Sequence, residues 1–254
     1  MSGWSLVFWI IVTFLLLYPL ARWINTHVQG VAFLLTGSQT AAIWFFWVLF
    51  LPGTFLHELS HWLTARLLGV KTSKFSMWPK QKRGGALQMG AVQVYVSDPF
   101  RHSLIGLAPL IFGSVTVLLV AYGLLGLEQV GVALLSGDLE FIVQAFENIL
   151  AVPDIWVWVY LIFAVSNAML PSASDREAWR SALLYLALAA ILAIGLGFNP
   201  SIPETVQVLS LGALTYLLIA FIITIALDLL VIVVLFFIEW FIGLVMGRRV
   251  QYGG

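Results

Sequence analysis

The chain contains no cysteine. A disulfide framework, a thiolate metal site and a catalytic thiol are therefore all excluded. Charge is nearly as scarce. Asp, Glu, Lys and Arg make up 9% of the 254 residues, and twelve acidic residues cancel twelve basic ones. A soluble domain carries roughly 25% charged residues, and a zero net charge argues against a nucleic-acid partner. What fills the sequence instead is apolar: 61% of residues are hydrophobic. That much apolar surface cannot be hidden in a core of this size, so the natural solvent is the lipid bilayer. No internal repeat, low-complexity segment or appended soluble domain interrupts the pattern. The expectation is one domain over 1–254, an all-α polytopic membrane protein.

A helix needs about 20 apolar residues to cross the hydrocarbon core. Six candidate spans satisfy this scale, near Trp4–Leu20, Thr40–Leu68, Ser103–Leu125, Ile155–Leu170, Trp179–Leu196 and Val206–Met246. The first lacks the basic n-region and small-residue cleavage site of a signal peptide and reads as a retained span. The last has no Pro or Gly cluster to turn a hairpin between Gly212 and Gly243. It reads as one long tilted helix, with two spans as the alternative.

Basic residues gather between spans two and three (Lys71, Lys74, Lys80, Lys82, Arg83, Arg101), after span four (Arg176, Arg180) and after span six (Arg248, Arg249). The segment Glu128–Asp154 has acidic residues and no Lys or Arg, and only Arg22 lies on the wrong side. The positive-inside rule then places the basic loops and both termini in the cytoplasm. Two regions do not span. Gly131–Val152 is mildly amphipathic and is expected along the outer interface. Ala86–Val96, tethered by Gly84-Gly85, alternates polar and apolar residues as a strand does. With Val70–Met77 it predicts a small membrane-associated β-hairpin at the cytoplasmic surface. Such a strand could act as an edge that receives an extended peptide, or it could only pack against the bundle.

The second span contains His57-Glu58-Leu59-Ser60-His61, an HExxH pattern. Residues four apart share a helix face, so His57 and His61 can turn a ring nitrogen to one metal ion. Glu58 flanks that position as a general base. Zinc lowers the pKa of bound water to about 7, which makes hydroxide available at neutral pH. Ionisable residues inside a span are costly and mark function by default; the bland alternative is a pair of core histidines satisfied by a buried carboxylate.

Catalytic zinc usually has three protein ligands, and no third histidine is well placed. His102 sits beside Arg101 in a basic loop, and His27 belongs to the opposite side. Asp175 is the best candidate. It follows Pro171, which ends span four in the same half of the membrane as the end of span two. Asp175 reads equally well as an N-cap for a helix starting near Arg176.

These residues resemble the site-2 protease family of intramembrane zinc metalloproteases. That family pairs HExxH in one span with NxxPxPxxDG in a later one, and Asn167 and Asp175 keep its eight-residue separation. Its basic residue and Ala-Gly-Pro-like stretch are similar to Arg101, Gly106, Ala108 and Pro109. A short β element between them also fits. The resemblance covers Leu51–Trp179 and implies a core of 40–180 with accessory helices over 1–39 and 181–254. It implies that His57, His61 and Asp175 bind Zn2+, that Glu58 is the base, and that Asn167 positions the substrate backbone or oxyanion. It further implies a transmembrane protein substrate and a bacterial or archaeal cell membrane, with the active site toward the cytoplasm.

The sequence departs from the family at several points. Leu170 and Ser172 replace the two prolines, Arg176 replaces the glycine, Gly113 replaces a later asparagine, and no PDZ or CBS domain is present. Two other functions compete. One is an inactive metal-binding pseudoprotease acting as a chaperone or partner subunit, against which the intact Glu58 argues. The other is an ion or proton transporter, which inverted repeats would favour and none is found. Asp228 and Glu239, eleven residues apart in the last span, share a helix face and read as packing groups within the bundle or at an oligomer interface. Substrate identity and oligomeric state are not encoded legibly.

Overall fold

The computed structural model describes residues 3–73, 75–78, 80–81, 87–88, 90, 92–95, 98–195 and 203–247. Lys74, Lys82–Ala86, Val96, Leu196, Arg248 and Arg249 lie outside the described residues. The described chain is a helical bundle. Four helices are long and apolar enough to cross a membrane: α1 (Gly3–Thr36), α2 (Gln39–Leu67), α3 (Pro99–Gly123) and α8 (Glu204–Met246). The remaining helices are α4 (Leu127–Ser136), α5 (Leu139–Leu150), α6 (Ile155–Ala168) and α7 (Ala173–Gly195). Large apolar side chains face outward, among them Phe236, Phe237, Phe241 and Leu244 on α8, whereas Asp228 on that helix is fully buried. This inversion of the soluble pattern is what a bilayer solvent requires.

α8 is one unbroken helix of 43 residues, as the lack of internal breakers predicts. At roughly 1.5 Å per residue it is about 64 Å long, about twice the ~30 Å hydrocarbon thickness. α1 is also longer than the segment Trp4–Leu20 predicts. It runs through Pro19 and Arg22 to Thr36 and makes the most extensive helix contact in the bundle, with α8. The reason is local. Thr13, Thr26 and Thr36 satisfy their hydroxyls on carbonyls one turn back, so no polar group forces the helix to stop. Gly37, at φ 66°, ends it, and the Ser38 side chain accepts from Ala41 N–H to start α2.

The expected fourth span is a helix of 14 residues, α6, that meets α5 at a 90° bend. Pro153 and the left-handed Asp154 (φ 56°) make that corner. α4 and α5 form a short helical hairpin joined at Gly137 in the region expected at the outer interface.

The segment between α2 and α3 departs most from expectation. Residues described within Ala86–Val96 do not form one strand. β1 (Lys71–Thr72) pairs with β4 (Val94–Tyr95), and β2 (Lys80–Gln81) pairs with β3 (Leu87–Gln88), both antiparallel. Nor does the segment lie across the end of α2. It turns at Gly69 (φ 69°) and runs back along the helix. Phe75 meets Phe55 edge-on at 6.0 Å, Trp78 stacks on Trp47 at 5.7 Å, and Trp47 Nε1 donates to Met77 O at 2.8 Å. Trp47 lies about 30 Å along α2 from Leu67 by helix rise. Irregular backbone beside a membrane helix is tolerated where protein covers it or a cavity is lined, and Trp47 supplies a stacked ring and a donor.

Candidate metal centre

The site is built where α2, α3, α6 and α7 converge. α2 and α6 approach closely at Gly53, one turn before His57. A Cβ there would meet Ala164 O at 1.9 Å and Ala168 Cβ at 2.7 Å, so only glycine permits the contact. α3 and α6 meet likewise at Gly113, where a Cβ would fall 2.3 Å from Met169 Cβ. These two approaches bring the C-terminal end of α6 against the HExxH turn.

The consequence is a backbone acceptor for each histidine. His57 Nδ1 lies 2.7 Å from Ala168 O, and His61 Nδ1 lies 2.8 Å from Ile105 O on α3. A carbonyl can only accept, so each Nδ1 carries the proton and each Nε2 is left with a lone pair. Ala168 O is available because α6 ends there. Its helical donor would be Ser172 N–H, and that group donates to Asp175 Oδ2 at 2.8 Å instead.

Asp175 is the third member. It is buried and sits in the first turn of α7. The N-cap assignment is corrected in position: the helix starts at Ala173, and Ser172 precedes it. Asp175 reaches back to Ser172 N–H while Asp175 N–H contacts Ser172 Oγ at 3.3 Å. This is a reciprocal capping box, reinforced by Ser172 Oγ on Asp175 Oδ2 at 2.6 Å. Capping occupies Oδ2, which is also the oxygen facing His57, and Oδ1 faces His61. The carboxylate caps α7 and reaches both histidines at once.

The three lone-pair donors converge. His57 Nε2 and His61 Nε2 are 3.1 Å apart. His61 Nε2 is 3.3 Å from Asp175 Oδ1, and His57 Nε2 is 3.7 Å from Asp175 Oδ2. With zinc–ligand bonds of 2.0–2.1 Å, two ligands at a tetrahedral angle are roughly 3.3 Å apart. With both rings neutral and protonated on Nδ1, the two nitrogens are acceptors that face each other and Asp175, and the donor set His, His, Asp suits a divalent metal. Among the described residues this is the group of His, Asp and Glu side chains that could hold one.

Comparison with protein-family models, with curated proteins and with solved structures finds no match.

Glu58 is buried on the same helix, roughly 100° round from His57 and 60° from His61 by helical geometry. Gly90 packs on it so closely that a Cβ would fall 2.7 Å from Glu58 Cγ. The Val92 backbone hydrogen-bonds to its carboxylate. The β segment thus lies on the acid beside the metal site.

Asn167 is brought near by sequence, next to Ala168, but its side chain turns to α8. Asn167 Nδ2 donates to Phe163 O at 3.2 Å and to Asp228 Oδ1 at 2.9 Å. Both amide protons are thereby used, and Asn167 Oδ1 and Asp228 Oδ2 are buried without a hydrogen-bond partner. Donation to an oxyanion would require the Asp228 bond to break; acceptance through Oδ1 would not.

Sequence reasoning missed Gly53, Ser172 and the two backbone carbonyls. A glycine one turn before HExxH was the readable signal for the first. The carbonyls have no side-chain signature. His102 is exposed at the start of α3, and His27 lies 4.0 Å from Glu239 between α1 and α8, apart from the triad.

Proposed function

We propose that this protein is a zinc-dependent intramembrane endopeptidase that hydrolyses peptide bonds in or near transmembrane segments, in the manner of the site-2 protease family. The observation that carries the reading is the convergence of His57 Nε2, His61 Nε2 and Asp175 Oδ1 beside a buried glutamate. His57, His61 and Asp175 would hold zinc, which supplies a Lewis acid that activates water near neutral pH. Glu58 takes one proton from the attacking water as its oxygen bonds to the scissile carbonyl carbon. It then delivers that proton to the departing amine nitrogen as the C–N bond breaks. Asn167 holds the substrate backbone through its amide. The Val92–Tyr95 region, beside Glu58, lies where an extended substrate would run. Unwinding is needed first, because a hydrogen-bonded helix hides its carbonyls.

Six spans, with α4 and α5 along the outer interface and the basic loops cytoplasmic, belong to the same proposal. So does residence in a bacterial or archaeal cell membrane. Single-cysteine labelling tests the topology directly, since no native cysteine competes. Labelling of position 138 from the cytoplasm alone would overturn it.

A second reading is favoured by one observation: the Gly90 and Val92 backbone lies on Glu58. A metal-binding membrane protein without turnover, acting as a chaperone or partner subunit, would keep the base covered in this way. Purified protein incubated with a transmembrane peptide separates the two. The peptidase reading expects cleavage that Glu58→Gln abolishes while zinc content stays unchanged. Zinc binding without cleavage by the unsubstituted chain would leave the second reading standing.

A further inference from the structure

α3 carries a proline in its interior, Pro109, whose side chain is fully buried. Proline has no backbone N–H, so it cannot donate to the carbonyl four residues earlier. For Pro109 that carbonyl belongs to Ile105. An unpaired carbonyl inside a bundle is costly, and buried backbone groups almost always find a partner. Here the partner is His61, whose Nδ1 lies 2.8 Å from Ile105 O. Ile105, Ala108 and His61 are all buried, so water is not the alternative donor.

The other prolines inside long helices make the contrast. Pro19 in α1 and Pro52 in α2 release the carbonyls of Leu15 and Val48, whose side chains face out of the bundle. Their missing hydrogen bonds lie away from the triad. Pro109 releases a carbonyl that lies within reach of His61 in HExxH. A histidine ligand needs its second nitrogen held to fix both the tautomer and the ring orientation. In a span, a backbone carbonyl can do this without burying another charge, but only if the helix does not claim it.

We propose that Pro109 is a positioning residue of the metal centre. By withholding an N–H, it dedicates the Ile105 carbonyl to His61 Nδ1. That holds the His61 ring with its proton on Nδ1 and its Nε2 lone pair toward His57 and Asp175. The inference rests on the metal-binding reading of the triad and deepens it, since it explains why one ligand is oriented from α3.

The test restores the N–H and then removes it again without the proline ring. Pro109→Ala adds the donor in a residue that favours helix, and the cavity left by the buried ring is shared by the ester variant, which controls for it. In a second variant the alanine side chain at 109 is joined through a backbone ester, by translation with lactic acid, which has the same side chain and no N–H. Zinc affinity of the detergent-purified full chain is measured by competition with a chelator. The 15N shifts of the His61 ring are read in the zinc-free protein. Pro109→Ala is expected to weaken zinc binding roughly 10–100-fold, the usual cost of losing an outer-shell partner, and to shift the Nδ1 signal. The ester variant should recover both, and Pro52→Ala should change neither. Unchanged affinity and Nδ1 signal in Pro109→Ala would overturn the proposal. An ester variant as impaired as Pro109→Ala would do so too, because the proline ring would then be what matters. If the unsubstituted chain bound no zinc, the metal reading would fail, and the His61 shifts would still decide whether Pro109 orients the ring.

Discussion

Among the described residues, two histidine–carboxylate groupings lie between these helices, one half-buried and one more deeply set, and they come to different ends. His27 on α1 meets Glu239 on α8 at 4.0 Å. His27 Nδ1 bonds the Trp23 carbonyl of its own helix at 2.8 Å, and its ring stacks on Trp23 at 3.5 Å. The pair lies between the two longest helices. His57, His61 and Asp175 use the same chemical groups, but the Nδ1 partners are carbonyls of other helices, Ala168 and Ile105. Those partners turn both rings inward, so three lone-pair atoms converge. A carboxylate near a histidine in a membrane helix is therefore not yet a metal site. Convergence makes it a candidate one, and the convergence comes from where the second nitrogen is held.

That comparison can be broken most sharply at the ligands. His57→Ala or His61→Ala should abolish zinc binding, whereas His27→Ala should leave stoichiometry unchanged in the same elemental analysis. Loss of zinc in His27→Ala would put the two clusters on an equal footing.

Next in size is Gly53. Its Cβ would meet the Ala164 carbonyl, so Gly53→Val should push α2 off α6 and cost about 1–3 kcal/mol by overpacking. It should also separate His57 from Ala168 O and weaken zinc binding. Thermal unfolding and chelator competition read the two effects. A variant as stable and as tight as the parent would mean that close approach does not set the site.

Asp175 allows its two roles to be separated. Asp175→Asn keeps an oxygen for the Ser172 cap but offers a poor ligand, so zinc affinity should fall with little change in stability. Asp175→Ala should lose both, with about 1 kcal/mol from the missing cap. Glu177→Ala should affect neither. Equal zinc affinity across the three variants would return Asp175 to capping alone.

The smallest effect on zinc is expected at Asp228. Asp228→Ala leaves an Asn167 N–H without its partner, at roughly 1–3 kcal/mol of stability, whereas Asp228→Asn retains an acceptor for it. Zinc content should not move in either. A fall in zinc would tie α8 to the metal site through a route the contacts do not describe.

How much of this was legible follows from which interactions are local. His57, Glu58 and His61 lie within one helical turn and a bit, so their spacing alone puts the histidines on a common face. The continuity of α8 followed from the residues it lacks. Asp175 could not be assigned as cap or ligand because one carboxylate can do both, and the sequence is silent on which groups it meets. The pairing expected between Val70–Met77 and Ala86–Val96 is found at Lys71–Thr72 and Val94–Tyr95. Alternation reports which side chains share a face, not where the backbone runs, and its course along α2 is set by Trp78 meeting Trp47 and Gly90 meeting Glu58. Asp228 and Asn167 are 61 residues apart, and nothing local to either announces the other. Ser172 leaves Ala168 O to His57, since its own N–H goes to Asp175.

The most direct test of the central claim is the zinc content of the purified full chain beside a His57→Ala/His61→Ala double variant. The convergence of the two Nε2 atoms and Asp175 Oδ1 predicts about one zinc per chain in the first and none in the second. Zinc retained by the double variant at the parent's level would contradict it.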